Sequence, residues 1–212
     1  MKNKKTVWSG RLFLTLCAAQ LLLVIVSWMV NATVEHTQVR SLISSEGIRW
    51  FMGHFVEMVS TPLLAWMLLL AVAAGLFRAS GLLSLPRRGI PAGHSQNRNG
   101  YRRNIALAAV LTELVVITIV MLFLTLTPNA ILRSASGELF PSSFSACLVP
   151  VVAFAVSIAS CTYGGIVGTL PNIESAYRAA CQGIAAASPY ILLYIAAAQL
   201  YFSVVYLMGA SC

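Results

Sequence analysis

The chain has 212 residues, 58% of them apolar and only 9% charged, with a formal net charge of +8. A soluble domain carries about 25% charged residues, so this composition cannot cover a water-facing surface and excludes an ordinary soluble enzyme. Nor does the charge indicate nucleic acid: Lys2, Lys4, Lys5 and Arg11 precede the first apolar run, Arg78, Arg87, Arg88, Arg98, Arg102 and Arg103 cluster around one connection, and the lone aromatics among them, Trp8 and Tyr101, make no interleaved aromatic-basic pattern.

The first predicted span is Leu12 to Val30, free of charge throughout. About 20 helical residues cross a hydrocarbon core, and the run exceeds the roughly 7–15 apolar residues of a secretory signal. An uncleaved membrane helix is therefore expected. Residues 31–49 read as a polar loop, in which Glu35 and Glu46 balance Arg40 and Arg49. Ser44-Ser45-Glu46 marks a helix start. The stretch Ile48 to Thr61 places Trp50, Phe51, Phe55, Val56 and Val59 near helical spacing. It predicts an amphipathic helix lying at the interface or entering it at a slant.

Pro62, tolerated in a first turn, opens the second span, Leu63 to Phe77. This apolar run is short, so the span is expected to borrow neighbouring residues. Residues 84–103, with Pro86, Pro91, Gly89, Gly93 and Gly100, read as an Arg-rich linker. The third span runs from Ile105 to about Leu126 and the fourth from Leu148 to Val167. A short amphipathic helix is expected over Ile173 to Ala187, before a fifth span from Pro189 to about Met208. The fold class is thus all-α integral membrane: about five transmembrane helices with one or two amphipathic interfacial helices. It forms one membrane domain with parts 1–83, 84–103 and 104–212. The Lys/Arg bias puts the N-terminus and the 78–103 connection on the cytoplasmic side.

Polar residues at membrane depth are the candidates for function. Glu113, in the third span, has two readings: a proton- or ion-coupling group, or a carboxylate near the interface that reaches Arg102 or Arg103. Gly164 and Gly168 form a small-xxx-small pair, suited to close helix packing or to a break that lines a cavity. Gln20 and Gln199 are suited to interhelical hydrogen bonds. Tyr163, Tyr190, Tyr194, Tyr201 and Tyr206 serve either as site residues or as interface anchors. The chain contains no Asp, so a Ser-His-Asp set is excluded, and no metal-ligand spacing, P-loop or dinucleotide fingerprint is present. No cofactor, metal or catalytic residue is expected.

Two stretches resemble the AbgT family, the p-aminobenzoyl-glutamate transporters of bacteria. Ser41 to Leu83 is similar to a family segment with an LLS-EG-RW start and a helix ending in an SGL pattern. Pro128 to Gln199 carries PNAILR, GELFPSSF, LVP, YGGIVGT and PYILLYIAAAQ, similar to family elements in the same order. There are departures. Family members are more than twice as long, so the chain is expected to be an abridged member. An Asp-bearing re-entrant hairpin of the family is replaced by the Arg-rich linker. The family's Asn-Trp-Ser element falls on Val205, Tyr206 and Leu207. Tyr163, Gly164, Gly168, Gln199 and Tyr206 remain as the substrate-binding candidates the resemblance transfers.

What the resemblance implies is ion-driven transport of p-aminobenzoyl-glutamate or related aromatic compounds, sulfonamides included, in a bacterial inner membrane. The expected partners are the bilayer, a small aromatic substrate, and a second copy or a partner membrane subunit; nucleic acid is not among them. The alternative is a non-transporting remnant or accessory subunit that associates with a partner protein.

Overall fold

A computed structural model describes residues 2–33, 41–84, 98–126 and 143–209. Its elements are α1 (Lys2–Thr33), α2 (Ser45–Val59), α3 (Pro62–Ser80), a 3-10 turn (Leu82–Ser84), α4 (Arg98–Leu126), α5 (Ser143–Val167) and α6 (Ile173–Leu207). No strand occurs among the described residues. Among the described residues, five helices are long and apolar enough to cross a membrane: Val7–Thr33, Pro62–Ser80, Gly100–Thr125, Ala146–Val167 and Ile173–Leu207. They coincide with the five expected spans. The PNAILR element, most of GELFPSSF, Arg87 and Arg88 lie outside the described residues. The Arg-rich linker is shorter than expected, because Arg98 to Arg103 already belong to α4.

By contacts the chain divides into two compact units, Met1–Met67 with Ala187–Cys212, and Leu68–Ala186. The first contains α1, α2, the start of α3 and the second half of α6. On α1 the less exposed residues Leu16, Gln20, Leu23, Val24, Ser27 and Val30 recur at helical spacing and form one seam. Gln20 Nε2 donates to Ser203 Oγ on α6 at 2.8 Å, and Ser203 is fully buried. The outer end of the seam is tied by Leu42 N–H, which donates to Ser27 Oγ at 3.4 Å. Ser44 then caps α2, its hydroxyl accepting from Gly47 N–H at 3.0 Å. Gly47 has no alternative here, since a Cβ would meet the backbone of Ser41 and Leu42.

Helix α2 (Ser45–Val59) packs along α6. Trp50 stacks on Tyr206 of α6 with ring centroids 4.2 Å apart, and Thr61, just past α2, hydrogen-bonds Tyr194 of the same helix. Those two tyrosines are separated by about 18 Å of helical rise. The two anchors run in opposite chain directions, so α2 follows α6 antiparallel.

In the second unit, α4 and α5 pack antiparallel. Ala106 and Val110 of α4 meet Ala159 and Tyr163 of α5, with Leu82 packed against them. Alternation of buried and exposed residues leaves Leu111, Val115, Val116, Ile119 and Phe123 on the outer face of α4, where lipid covers them. The second half of α3 crosses the first half of α6 at Ala71/Gly75 and Ala179/Gly183. A Cβ on Gly75 would lie 2.8 Å from Gly183 Cα, and a Cβ on Gly183 the same distance from Gly75 Cα. Backbone touches backbone, the close approach that small-xxx-small spacing permits in lipid.

This crossing explains why Ile173–Ala187 is not a separate helix. Packing of Ala179 and Gly183 on α3 fixes the first half of α6, and the helix runs on through Pro189. The proline forfeits one backbone bond, too little to stop a helix held on both sides of it.

Gly164 and Gly168 have different roles from the paired packing their spacing suggests. The space where Gly164 would carry a side chain is filled by Leu170, 2.7 Å from an added Cβ. Gly168 has φ +90° and terminates α5, with nothing within 4 Å of an added Cβ. The Gly164 carbonyl accepts from the N–H groups of Gly168 at 2.9 Å and Leu170 at 3.0 Å, and Thr169 Oγ1 donates to Ser80 O at 2.9 Å. The last turns of α3 and α5 are thereby joined. Gly168→Ala is expected to lower stability by about 1–2 kcal/mol, the cost of left-handed backbone for an L-residue. Gly165→Ala, in open space within α5, is expected to be neutral or slightly stabilising. Thermal unfolding of the detergent-solubilised protein checks both.

Candidate functional site

The path from α2 to α3 breaks at Ser60-Thr61-Pro62. Pro62 has no N–H, and it pushes the preceding Thr61 out of helical backbone. Ser60 N–H still reaches Val56 O at 2.8 Å, Thr61 N–H turns back to Val59 O at 2.9 Å, and Thr61 O accepts from Leu64 N–H at 3.1 Å. The result is a helix start at Pro62 beside the second half of α6. A discontinuity of this kind persists at membrane depth only where protein or a cavity satisfies it. Here Ser60 Oγ donates to the Glu57 carbonyl at 3.3 Å, and the Thr61 hydroxyl ties the break to α6 by bonding the Tyr194 hydroxyl.

Against this break lies a groove of ≈ 520 Å³, lined by Thr61, Pro62, Trp66, Tyr194, Tyr201 and Phe202, with Leu63, Ala197 and Ala198 between them. Its volume is in the range of small-ligand sites, roughly 300–1,000 Å³. Three features make it chemically specific. The walls are aromatic, and Tyr201 and Phe202 meet edge to face with centroids 5.4 Å apart. Ala197 and Ala198 keep the floor low. The N-terminus of α3, with its partial positive charge, stands at one end next to two hydroxyls. The lining surface is almost wholly apolar, so it is the face of a flat ring that this set matches.

The residues singled out in the sequence fall into two groups. In the first unit, Tyr206 is buried under Trp50 and Gln199 is half-buried on α6, one turn before Ser203. The glutamine that does bond across helices is Gln20. In the second unit, Tyr163 is buried in the α4–α5 contact, Gly164 and Gly168 shape the end of α5, and Glu113 is on the packed seam of α4. None of these seven lines the aromatic groove. Tyr194 and Tyr201, which do, were legible as site or anchor residues. Trp66 and Thr61 were missed, and the signal that could have found them was Pro62, which places a helix start inside an apolar stretch.

Glu113 follows Ala106 and Val110 by helical spacing, on the same side of α4. Its Oε2 is buried without a hydrogen-bond partner in the protein. Cys161 of α5 is within its electrostatic range. Arg103 is ten residues back, about 15 Å of rise, too far for direct pairing. The one ion pair found among the described residues is Glu174–Arg178, exposed at the start of α6. No cluster of His, Cys, Asp or Glu able to hold a metal occurs among the described residues.

The chain is a multi-pass helical membrane protein with a ligand-sized groove beside the start of α3. The structure is similar to the crystal structure of the Alcanivorax borkumensis YdaH transporter, an AbgT-family protein described as having an unusual topology. The TM-score is 0.72 and the identity 16%, over 92% of this chain and 70% of that one. The chain therefore has the fold that its motifs implied. No protein-family model matches the sequence, and no curated protein matches it.

Proposed function

We propose that the chain is a secondary transporter for a small aromatic anion, of the p-aminobenzoyl-glutamate or sulfonamide type, in a bacterial inner membrane. The observation that carries this reading is the aromatic groove at the α2–α3 break, with a helix N-terminus and the Thr61–Tyr194 hydroxyl pair at one end. Trp66 and Tyr201 would hold the ring between them, and the α3 N-terminus would take the carboxylate. Glu113 is the coupling group, a carboxylate inside the packed α4–α5 seam that exchanges a proton or cation as the cycle turns. The N-terminus is cytoplasmic by its lysines, and the working unit is a homo-oligomer. The transferred motif residues act around the site: Gly164 and Gly168 shape one helix end, and Tyr163, Gln199 and Tyr206 hold their helices in place.

The test is uptake of radiolabelled p-aminobenzoyl-glutamate by proteoliposomes holding the purified chain, under an imposed proton or sodium gradient. Saturable uptake is expected. Trp66→Ala is expected to raise KM about tenfold, the worth of roughly 1.4 kcal/mol of aromatic contact, while Trp8→Ala, on the exposed face of α1, leaves it unchanged. Inserted protein without saturable flux would overturn autonomous transport and leave the accessory-subunit reading in its place.

A further inference from the structure

A second cavity, of ≈ 270 Å³, opens where α3 crosses α6 and is lined by Gly75, Arg78, Ala79, Gln182 and Gly183. Unlike the aromatic groove it is polar. Its origin is the crossing itself. Gly75 and Gly183 contribute no side chains, so the helices touch, and the next residues along each helix stand as a rim around the contact. Those residues are Arg78 and Gln182.

Their depth is fixed by two independent marks. On α3 the residues from Leu63 to Phe77 are all apolar, and Arg78 is the first charge, in the last turn. On α6 the ion pair Glu174–Arg178 lies in the first turns, and two charged side chains belong at the level of water or head groups; Gln182 is one turn, about 6 Å, further along the helix. Both helices thus place the rim at the boundary between head groups and hydrocarbon. Arg78 is exposed and belongs to no ion pair found among the described residues. A guanidinium at this level offers a planar fork of donors that matches phosphate oxygens, and the Gln182 amide adds donors beside it.

We infer that this notch binds the phosphate of an anionic phospholipid, with Arg78 and Gln182 as its ligands and the Gly75–Gly183 contact as its floor. The acyl chains would run along the apolar α3 surface, where Leu68, Leu69 and Leu70 are exposed. A bound lipid would bridge α3 and α6 and reinforce their crossing. A free phosphate would satisfy the same donors but gain nothing from that apolar surface.

The experiment uses the whole purified chain in a neutral detergent, with native mass spectrometry and thermal unfolding as readouts. Phosphatidylglycerol, phosphatidylcholine and inorganic phosphate are added separately. Retention and stabilisation are expected with phosphatidylglycerol and not with the other two. Arg78→Gln is expected to weaken retention at least about fivefold, the worth of one cation at an anionic surface. Arg78→Lys should keep part of it, and Arg102→Gln, an exposed cation on α4, should keep nearly all. Equal losses in Arg78→Gln and Arg102→Gln would mean diffuse charge attraction and overturn the site. Stabilisation by inorganic phosphate as strong as by the lipid would overturn the lipid as its occupant. Because Arg78 and Gln182 are both exposed, Arg78→Gln is expected to stay folded without added lipid, and Gln182→Ala gives a second, milder loss.

Discussion

Gly183→Leu is expected to disrupt the second unit, the largest stability loss of any single substitution considered. An added Cβ at this position meets Gly75 Cα at 2.8 Å and the Ala71 carbonyl closer still. Both are backbone atoms, so no rotamer change on α3 can make room. Even alanine forces the helices apart, at the upper end of the ~1–3 kcal/mol typical of overpacking; leucine exceeds that range. Gly75→Leu should behave alike, since its Cβ would strike Gly183 Cα and the Ala179 carbonyl. The buried neighbours Leu76, Leu170 and Ala179 would lose contact with it, so the loss spreads along the crossing. The control is Gly53→Ala on α2, where nothing lies within 4 Å and the change should be neutral or slightly favourable. Monodispersity in detergent and the midpoint of thermal unfolding distinguish the two classes. A Gly183→Leu protein that stays monodisperse and unfolds at the wild-type temperature would show that α3 and α6 do not touch here.

Spans were legible in the sequence because lipid imposes a simple demand: long stretches without charge, bounded by Lys and Arg. Crossings were not, because spacing alone does not say which small residues meet. Gly164 and Gly168 have the spacing of a packing pair, yet one accommodates Leu170 and the other ends a helix at φ +90°. Ala71/Gly75 and Ala179/Gly183 have the same spacing and do meet. The difference depends on which helix faces which, a tertiary fact. The groove was half legible. Pro62 signalled a helix start and Tyr194 and Tyr201 were noticed, but their convergence depends on the antiparallel run of α2 along α6. No local pattern encodes the pairing of Trp50 with Tyr206 that fixes that run.

Glu113→Gln is expected to preserve the fold while removing the dependence of flux on the ion gradient. Glutamine keeps the volume of the side chain, so the contacts of Ala106 and Val110 with α5 persist. It removes the charge from a seam where Oε2 has no hydrogen-bond partner in the protein. An unpaired carboxylate at membrane depth costs several kcal/mol, so the variant should be at least as stable as the parent, a result opposite in sign to loss of a structural ion pair. If Glu113 instead anchored α4 through an arginine, glutamine would destabilise, because breaking a buried pair leaves the other charge uncompensated. Stability and flux therefore give separate answers. Higher or unchanged thermal midpoint together with gradient-independent exchange supports coupling through Glu113. An unchanged response of uptake to the imposed gradient would remove Glu113 from the mechanism, whatever the stability. Cys161→Ser is the companion variant: it replaces the thiol within electrostatic range of Glu113 by a similarly small group, and it should leave the gradient response intact if the carboxylate alone carries the exchange.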